Sequence, residues 1–267
     1  MMAIAPVSVV MPCFRCTATV DRAVSSVVGQ TFRPAQLVLV DDASGDGTLD
    51  HLYALQRELG DWVHVVALAE NGGAAHARNA GWDRAAQAYV AFLDADDAWH
   101  PRKLELQYGY MATHPEVALS GHLHRVVDDQ TQLAPQWILP RDTRATAVTW
   151  HSLLLRHQFV TPSVMLKRDL AQRFAPDVRY MEDYRLWLEV AGAGHPIVKL
   201  QLELAAIYKP AYGAAGLSGD LWPMERAELA VLAHLHHAGK LSTAARALLS
   251  IYSLLRYLRR RLIVWLR

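Results

Sequence analysis

The fold is decided by the stretch Tyr89-Val90-Ala91-Phe92-Leu93-Asp94-Ala95-Asp96-Asp97, in which a short apolar run ends in a cluster of carboxylates. An earlier stretch, Gln36-Leu37-Val38-Leu39-Val40-Asp41-Asp42, has the same form. Short runs that are apolar throughout are typical of strands buried on both faces of a parallel sheet. Both acidic clusters are therefore expected at the carboxyl ends of strands, where ligands bind in open α/β sheets.

Strand-like and helix-like patterns alternate around these two stretches. Apolar runs at 7–11 and 63–68 predict two more strands, and apolar residues at helical spacing predict helices over 19–30, 48–59 and 72–88. The alternation indicates an α/β fold, a Rossmann-like sandwich with a mostly parallel central sheet. The C-terminal part of the chain is expected to be a helical extension.

The composition excludes several classes of protein. The 267 residues are 52% hydrophobic and 20% charged, which excludes a disordered chain and a coiled coil. A formal net charge of +1 argues against a nucleic-acid partner. Two cysteines cannot form a disulfide scaffold. The sequence contains no run of about 18 apolar residues that would predict a membrane-spanning helix.

The small net charge hides an uneven distribution. Residues 229–267 contain seven Lys and Arg and no Asp or Glu, so residues 1–228 hold 20 basic and 26 acidic side chains. Residues 242–267 are predicted to form one basic amphipathic helix. Such a helix is suited to lie on an anionic membrane surface. Packing against the acidic body of the protein, or a contact between copies of the chain, are the alternatives.

A third acidic pair, Glu182-Asp183, opens an apolar-periodic helix in the second half of the chain. Carboxylates that converge on one cleft repel each other unless a cation or a hydrogen-bonded ligand compensates. Asp94-Ala95-Asp96 at a strand end suits Mg²⁺ or Mn²⁺, which bind few protein carboxylates and fill their other positions with water and phosphate oxygens. Alone this motif is a weak indication, because aspartates are common in turns and at helix starts.

The combination of motifs is more specific, and it resembles the family 2 glycosyltransferases. The matching stretches occur in the family's order: VSVVMPCF at 7–14, QTFRP at 30–34, VDDASGDGT at 40–48, NGG at 71–73, ARNAG at 77–81, FLDADDAW at 92–99 and MEDYRLWL at 181–188. The resemblance covers about residues 6–210. It implies a GT-A fold and an inverting transfer of a sugar from a nucleotide-sugar.

The resemblance assigns five residues to the nucleotide-sugar. Phe14 matches the aromatic residue that packs on the base, and Pro12 would line the same pocket. Asp42 matches the acid that hydrogen-bonds the base edge, with a turn role as the alternative. Arg78 matches a basic residue that approaches the nucleotide, with a helix-surface ion pair as the alternative. Asp94 is expected beside the ribose or near the metal.

Four further residues are assigned to the metal and the acceptor. Asp96 is expected to bind Mg²⁺ or Mn²⁺ on the diphosphate. Asp183 is expected to be the general base that takes the proton from the acceptor hydroxyl, with a helix N-cap as the alternative. Glu182 is expected to position the acceptor or to cap the helix, and Trp99 to stack on a sugar. Asp97 is expected only to cap the helix that follows it.

The expected organisation is a glycosyltransferase domain over 1–220, with a nucleotide-sugar half at about 1–100 and an acceptor half at about 101–220, followed by the basic tail at 221–267. The Gly-rich segment 213–219 is expected to close over the donor or to be a linker. The expected donor is a nucleotide-sugar, with uridine as the nucleoside. The expected acceptor is a saccharide or a lipid-linked molecule in cell-surface polysaccharide or lipopolysaccharide synthesis. The basic tail predicts a third partner, a membrane surface, and hence a cytoplasmic protein at the inner face of the cell membrane. A sugar-1-phosphate nucleotidyltransferase and a non-catalytic nucleotide-sugar-binding protein are the alternatives.

Overall fold

A computed structural model of the chain describes residues 3–127, 137–140, 144–208 and 221–265. Within these ranges one mixed sheet is formed by nine strands. The strands are β1 (Ala3–Cys13), β2 (Phe32–Asp41), β3 (Val63–Ala67), β4 (Tyr89–Phe92), β5 (Ala98–Trp99), β6 (Leu119–Val126), β7 (Ala145–Ala147), β8 (Met165–Lys167) and β9 (Ile197–Ile207). The helices are α1 (Val20–Val28), α2 (Thr48–Leu59), α3 (Gly73–Arg84), α4 (Lys103–Thr113), α5 (Trp150–Leu155), α6 (Glu182–Gly192), α7 (Leu221–His237) and α8 (Thr243–Trp265), with a 3₁₀ helix at Thr161–Ser163.

The strand order is β3-β2-β1-β4-β8-β6-β9-β5, and β7 also pairs with β9. Strands β1 to β4 are mutually parallel, β8 is antiparallel to both β4 and β6, and β9 is parallel to β6. Six of the nine strands therefore run in the same direction. The predicted α/β fold with a mostly parallel central sheet is confirmed.

The two faces of the sheet carry separate apolar clusters because successive strand residues point to opposite sides. In β1, Val10 joins the cluster that packs against α3, α5, α6 and α7, whereas Val9 and Met11 join the one that packs against α1, α2 and α4. The approach of α3 to the sheet is close, since a Cβ on Gly81 would lie 2.4 Å from the side chain of Val10.

The predicted strands and helices of the first half are confirmed, with ends that differ by a few residues. Strands β1 and β2 begin about four residues before the apolar runs at 7–11 and 36–40. The two strands pair from Ala3 with Phe32 onward, across an irregularity between Ala5 and Ser8. Backbone pairing thus extends each strand beyond the apolar segment that the sequence marks.

The C-terminal residues form a helical hairpin of α7 and α8. The α7 residues Val231, Leu232 and Leu235 belong to the same apolar cluster as α6, so α7 is part of the body of the protein. Two ion pairs connect α8 to α7. Arg260 donates to Glu225 at 3.0 Å, and Arg256 donates to Glu228. Both glutamates are buried.

The outer face of α8 is apolar and exposed. Its residues at alternating spacings of three and four are between 54% and 69% exposed: Leu248, Ile251, Leu255, Leu258 and Leu262. We call these five residues the α8 stripe. No helix in the described ranges combines the length and the hydropathy needed to cross a membrane. The Gly-rich segment 213–219 lies outside the described residues.

Candidate active site

The carboxyl ends of β1, β2 and β4 lie side by side at one edge of the sheet. Cys13 at the end of β1 pairs with Asp41 at the end of β2, and the N–H of Asp42 donates to the Cys13 carbonyl at 2.9 Å. On the other side of β1, the N–H of Leu93 donates to the Val10 carbonyl at 3.1 Å. Two acidic stretches therefore flank the end of β1, as the strand pattern predicted.

An exposed aromatic ring lies at this edge. Phe14 directly follows β1 and is 46% exposed, and Pro12 is half-buried. The Arg15 guanidinium lies 5.2 Å from the centroid of the Phe14 ring. The Arg15 Nε donates to the Ser44 carbonyl at 3.3 Å, and its backbone N–H donates to the Ser44 hydroxyl at 3.1 Å. An open ring face beside a planar cation is suited to stacking on a nucleobase.

Asp42 organises the loop that leads into α3. Its Oδ1 accepts the N–H of Gly72 at 2.9 Å, and its Oδ2 accepts the N–H of Gly73 at 2.8 Å and the Asn71 side-chain amide at 2.9 Å. The carboxylate thus compensates for unpaired N–H groups and for the positive end of the helix dipole. The turn role that was the alternative is present in the structure, and the contact of Asp42 with a base stays a prediction.

Arg78 joins the acidic clusters of the two halves of the sheet. Its Nη2 donates to Asp94 Oδ1 at 2.8 Å and its Nη1 to Glu182 Oε1 at 2.9 Å, while the side chain is only 6% exposed. Burial by itself lowers the pKa of Arg78, but the charges of Asp94 and Glu182 outweigh it and hold the pKa above its ordinary value. The alternative of an ion pair is therefore present in the structure, but Arg78 is buried and contacts two acids, so it does not lie on the helix surface. A contact of Arg78 with the nucleotide stays a prediction.

Asp183 lies in the first turn of α6. Its Oδ2 accepts the hydroxyl of Thr161 at 3.0 Å, and its Oδ1 accepts the N–H of Tyr184 at 2.7 Å. Burial raises the pKa of Asp183, whereas Arg78 and the two hydrogen bonds act to lower it. A carboxylate with a raised pKa is better suited to accept a proton near neutral pH than an ordinary aspartate.

Glu182 precedes Asp183 and is the first helical residue of α6. Burial and the neighbouring charge of Asp183 raise the pKa of Glu182, against the lowering effect of Arg78. The N-cap position belongs to Met181, whose φ of 62° is unusual for a bulky side chain. The alternatives that make Glu182 or Asp183 an N-cap are therefore wrong, since both lie inside the helix.

The loop after β4 is held by α1 and by the end of β9. Arg22 donates to the carbonyl of Asp96 at 2.7 Å, and its guanidinium lies 3.6 Å from the ring centroid of Tyr208. The carboxylate of Asp97 accepts the N–H of Tyr208 at 3.2 Å. The capping role expected for Asp97 is wrong, because α4 begins only at Lys103 and Asp97 instead ties the loop to β9.

The acids of this loop fit a divalent cation that a nucleotide helps to bind. Among the residues that the structure describes, no group of three His, Cys, Asp or Glu side chains could hold a metal ion by itself. Asp94 is paired with Arg78, and the Asp96 side chain is half-buried two residues later. One protein carboxylate completed by diphosphate oxygens and water is a set of ligands that Mg²⁺ and Mn²⁺ accept.

Trp99 does not present a ring face to a sugar. It is 2% exposed, its Nε1 donates to the Pro162 carbonyl at 2.8 Å, and the Lys103 Nζ lies 3.5 Å from the ring centroid. The predicted sugar-stacking role is therefore wrong. The short strand β5 pairs with β9 and directs this tryptophan into the core beside α4.

Three contact residues of this edge were missed from the sequence. Arg15, Arg22 and Thr161 act on groups that are 22 to 74 residues away in the chain. No motif contains Arg22 or Thr161, and their contacts depend on how α1 and the 3₁₀ helix pack. The contact of Asn71 with Asp42 could be predicted in part, because the Asn-Gly-Gly stretch was one of the matching motifs.

Comparison with known proteins gives one family for this arrangement. The family model described as Glycosyl transferase family 2 matches residues 8–173. A proposed teichuronic acid biosynthesis glycosyltransferase, TuaG of Bacillus subtilis (strain 168), is 32% identical over 70% of this chain and 73% of its own length. The Escherichia coli protein WfgD is 28% identical over 69% of each chain, and its name is UDP-Glc:alpha-D-GlcNAc-diphosphoundecaprenol beta-1,3-glucosyltransferase.

Solved structures show the same fold at lower sequence identity. TarS 1-349 of S. aureus in complex with UDP-GlcNAc has a TM-score of 0.69 and 17% identity over 93% of this chain and 71% of that chain. The mannosyltransferase PcManGT of Pyrobaculum calidifontis, in complex with GDP-Man and Mn²⁺, has a TM-score of 0.61 and 20% identity over 94% and 80% of the two chains. These likenesses establish the GT-A fold.

Proposed function

The chain belongs to glycosyl transferase family 2, and from this membership we propose that it moves a sugar from a UDP-sugar to a lipid-linked saccharide acceptor. The family makes the protein a glycosyltransferase, which removes the nucleotidyltransferase and non-catalytic alternatives. The proposal of a UDP-sugar and a diphospholipid-linked acceptor is supported by the name of WfgD. Assembly of a cell-surface polysaccharide is supported by the teichuronic acid assignment of TuaG.

The observation that carries the proposed mechanism is the contact of two acidic side chains with one buried arginine. Arg78 contacts Asp94 at the donor side and Glu182 at the acceptor side, and Asp183 follows Glu182 directly. Through Arg78, the proposed donor-side acid Asp94 and the proposed acceptor-side acid Glu182 belong to one buried cluster, and the proposed base directly follows Glu182 in the chain. Preorganised charge of this kind is the main means by which enzymes stabilise charge that develops during a reaction.

In the proposed step, the acceptor hydroxyl oxygen attacks the anomeric carbon of the donor sugar and inverts it. The bond from that carbon to the diphosphate oxygen breaks, and its electron pair leaves on UDP. Asp183 accepts the hydroxyl proton, which its raised pKa favours. Glu182 is proposed to position the acceptor. Its carboxylate accepts a hydrogen bond from Arg78, which holds it beside Asp183.

The donor is proposed to bind across the ends of β1, β2 and β4. Phe14 would stack on the base and Pro12 would line the same pocket. Asp42, which also holds the Asn71–Gly73 loop, would hydrogen-bond the edge of the base. Asp94 would lie beside the ribose, and Asp96 would hold Mg²⁺ or Mn²⁺ together with the diphosphate. The cation, when bound, supplies a Lewis acid that neutralises charge on the leaving diphosphate.

The proposed roles of Asp96 and Asp183 are tested by separating binding from turnover. Titration calorimetry with UDP, with and without MnCl₂, should show Mn²⁺-dependent affinity in the wild type and its loss in Asp96→Ala. Asp183→Asn should bind UDP normally but fail to transfer sugar from UDP-glucose or UDP-GlcNAc to GlcNAc-diphosphoundecaprenol. Transfer at the wild-type rate by Asp183→Asn would remove the general base from the proposal.

We also propose that the α8 stripe lies on the anionic inner face of the cell membrane, which makes the protein cytoplasmic and peripheral. At 100° per residue Arg259 and Arg261 fall on either side of the stripe, where arginines reach lipid headgroups while the leucines enter the acyl boundary. Arg256 and Arg260 face α7 and are paired there. A membrane surface would also bring the protein to its lipid-linked acceptor.

Sedimentation with vesicles of equal parts phosphatidylglycerol and phosphatidylcholine tests this surface. The wild type should pellet with the vesicles, and a Leu255→Gln/Leu258→Gln variant should stay in solution. Ile4→Gln is the matched control, because Ile4 is 57% exposed on β1, outside the stripe. If the wild type does not pellet but forms a dimer that the double variant abolishes, the stripe is a contact between copies and the membrane proposal fails.

A further inference from the structure

A short 3₁₀ helix lies between buried side chains of β5 and α4 and the proposed base. Its residues Thr161, Pro162 and Ser163 are all buried, and Thr161 is 5% exposed. Thr161 donates its hydroxyl to Asp183 Oδ2 at 3.0 Å. No other side chain is seen to hydrogen-bond the Asp183 carboxylate within the described residues, since its Oδ1 accepts only the backbone N–H of Tyr184.

The core holds this 3₁₀ helix at two successive carbonyls. Trp99 Nε1 donates to the Pro162 carbonyl at 2.8 Å, and the side-chain amide of Gln107 donates to the Ser163 carbonyl at 3.0 Å. Both side chains are buried, and the Trp99 ring is covered by Lys103. The position of the Thr161 hydroxyl is therefore set by rigid groups of β5 and α4 rather than by the surface.

We propose that Thr161 is a positioning residue for the general base: its hydroxyl orients the Asp183 carboxylate toward the acceptor, and Trp99 and Gln107 hold Thr161 in place. The proposal rests on the proposed function of Asp183. It gives Trp99 a role that differs from the predicted one, because the ring acts behind the site. One lone pair on each Asp183 oxygen is engaged by a donor, so the remaining pairs are the ones that can receive the acceptor proton.

The hydroxyl also stabilises the charged form of the base. A donor hydrogen bond to a carboxylate favours its ionised form, and Thr161 acts in this direction on the pKa of Asp183, against burial. The other charged groups that act on Asp183 are Arg78 from α3 and Asp94 and Glu182 beside it. Removing the hydroxyl leaves these charges unchanged, so the effect of Thr161 is separable from theirs.

The test compares Thr161→Val, which is nearly isosteric, with Thr161→Ser, which keeps the hydroxyl. In Thr161→Val the acidic limb of the pH profile of kcat/KM should move up by about one pH unit, the shift expected for loss of one hydrogen bond to a charged group. Thr161→Ser should restore the wild-type profile. The probes are UDP-glucose and UDP-GlcNAc with GlcNAc-diphosphoundecaprenol as the acceptor, whichever donor turns over.

The matched control is Ser163→Ala in the same 3₁₀ helix. Ser163 is fully buried and donates its hydroxyl to the Val160 carbonyl at 2.7 Å, so its loss should lower stability without moving the acidic limb. A second readout needs no substrate: the carboxyl ¹³C titration of Asp183, assigned by its absence in Asp183→Asn, should show the same upward shift in Thr161→Val only.

The outcomes separate this inference from the proposed function. If Asp183→Asn abolishes transfer but Thr161→Val leaves both the acidic limb and the carboxyl titration unchanged, Thr161 is not a positioning residue and the base assignment stands. An equal shift in Ser163→Ala would also overturn the inference, because the effect would then be structural. If Asp183→Asn transfers sugar normally, the proposed function of Asp183 falls first.

Discussion

Replacing Arg78 by methionine removes the buried cation that joins the acidic clusters while keeping an unbranched side chain. Methionine fills part of the same volume but leaves Asp94 and Glu182 without the donors that contact them at 2.8 and 2.9 Å. We expect Arg78→Met to be destabilised more strongly at pH 8 than at pH 5. The pH dependence distinguishes the loss of a counter-ion from the loss of packing.

The magnitude follows from how far each partner is exposed. Removing one member of a buried ion pair costs about 3–5 kcal/mol, and the Asp94 side chain, 25% exposed, can recover some hydration, whereas Glu182 is only 12% exposed. We therefore expect a loss of about 3 kcal/mol in the free energy of unfolding at pH 8. At about 2–4 °C per kcal/mol for a protein of this size, Tm should fall by about 6–12 °C.

The sign of the pH effect follows from Glu182. Its pKa is already raised by burial in the wild type, and removal of Arg78 takes away an influence that lowers it. A group whose folded pKa lies above its unfolded value contributes stability at low pH that is lost as the pH rises through the folded pKa. The variant should therefore lose less stability at pH 5 than at pH 8, because protonation of Glu182 removes its unpaired charge progressively as the pH falls.

Urea unfolding followed by tryptophan fluorescence at pH 5 and pH 8 measures both values. Arg185→Met is the matched control, because Arg185 pairs with Glu189 at 2.9 Å within one helix and both side chains are partly exposed. That control should lose less than about 1 kcal/mol at either pH. A loss below about 1 kcal/mol for Arg78→Met at pH 8, or an equal loss at both pH values, would refute the role of Arg78 as counter-ion.

Three further predictions concern packing, the hairpin and acid stability. Gly81→Ala should cost about 1–3 kcal/mol in urea unfolding, since its Cβ would meet a β1 valine at 2.4 Å, whereas Gly109→Ala, with nothing within 4 Å, should not destabilise. Arg256→Met should cost about 3 kcal/mol by leaving a buried glutamate of α7 unpaired, and replacing that glutamate by glutamine in the same chain should recover most of the loss. Burial lowers the pKa of His157 to about 4, so stability should fall as the pH drops from about 6.5 toward 4, and His157→Phe should flatten that fall in thermal melts.

The sheet and its acidic edge could be predicted because they depend on local pattern. Apolar runs that end in carboxylates predicted the strands β2 and β4, and the parallel order brought Asp42 and Asp94 to one edge. That Glu182 and Asp183 lie near this edge could be predicted only from the family resemblance. Helix α6 is about 90 residues further along the chain, and no local pattern predicts where it packs.

The roles that were wrong depend on the direction of individual side chains. Trp99 follows the acidic motif closely, but the pairing of β5 with β9 directs it into the core. Asp97 was expected to cap a helix, yet that helix begins six residues later and the carboxylate accepts the Tyr208 N–H instead. Thr161 had no sequence signal, because its importance comes entirely from the placement of a three-residue 3₁₀ helix beside α6.

The charge distribution of the tail also changes meaning once the pairs are known. Seven basic residues follow the last acid in the sequence, but Arg256 and Arg260 neutralise Glu228 and Glu225 and hold the hairpin together. Among the residues of α8 that the structure describes, only Arg259 and Arg261 flank the α8 stripe. With about 1 kcal/mol per basic residue near anionic lipid, their charge would contribute about 2 kcal/mol to the proposed membrane binding. The five exposed aliphatic residues of the α8 stripe would then have to supply most of the proposed affinity for the membrane. Membrane binding should therefore be weakened more by replacing the leucines of the α8 stripe than by raising the salt concentration.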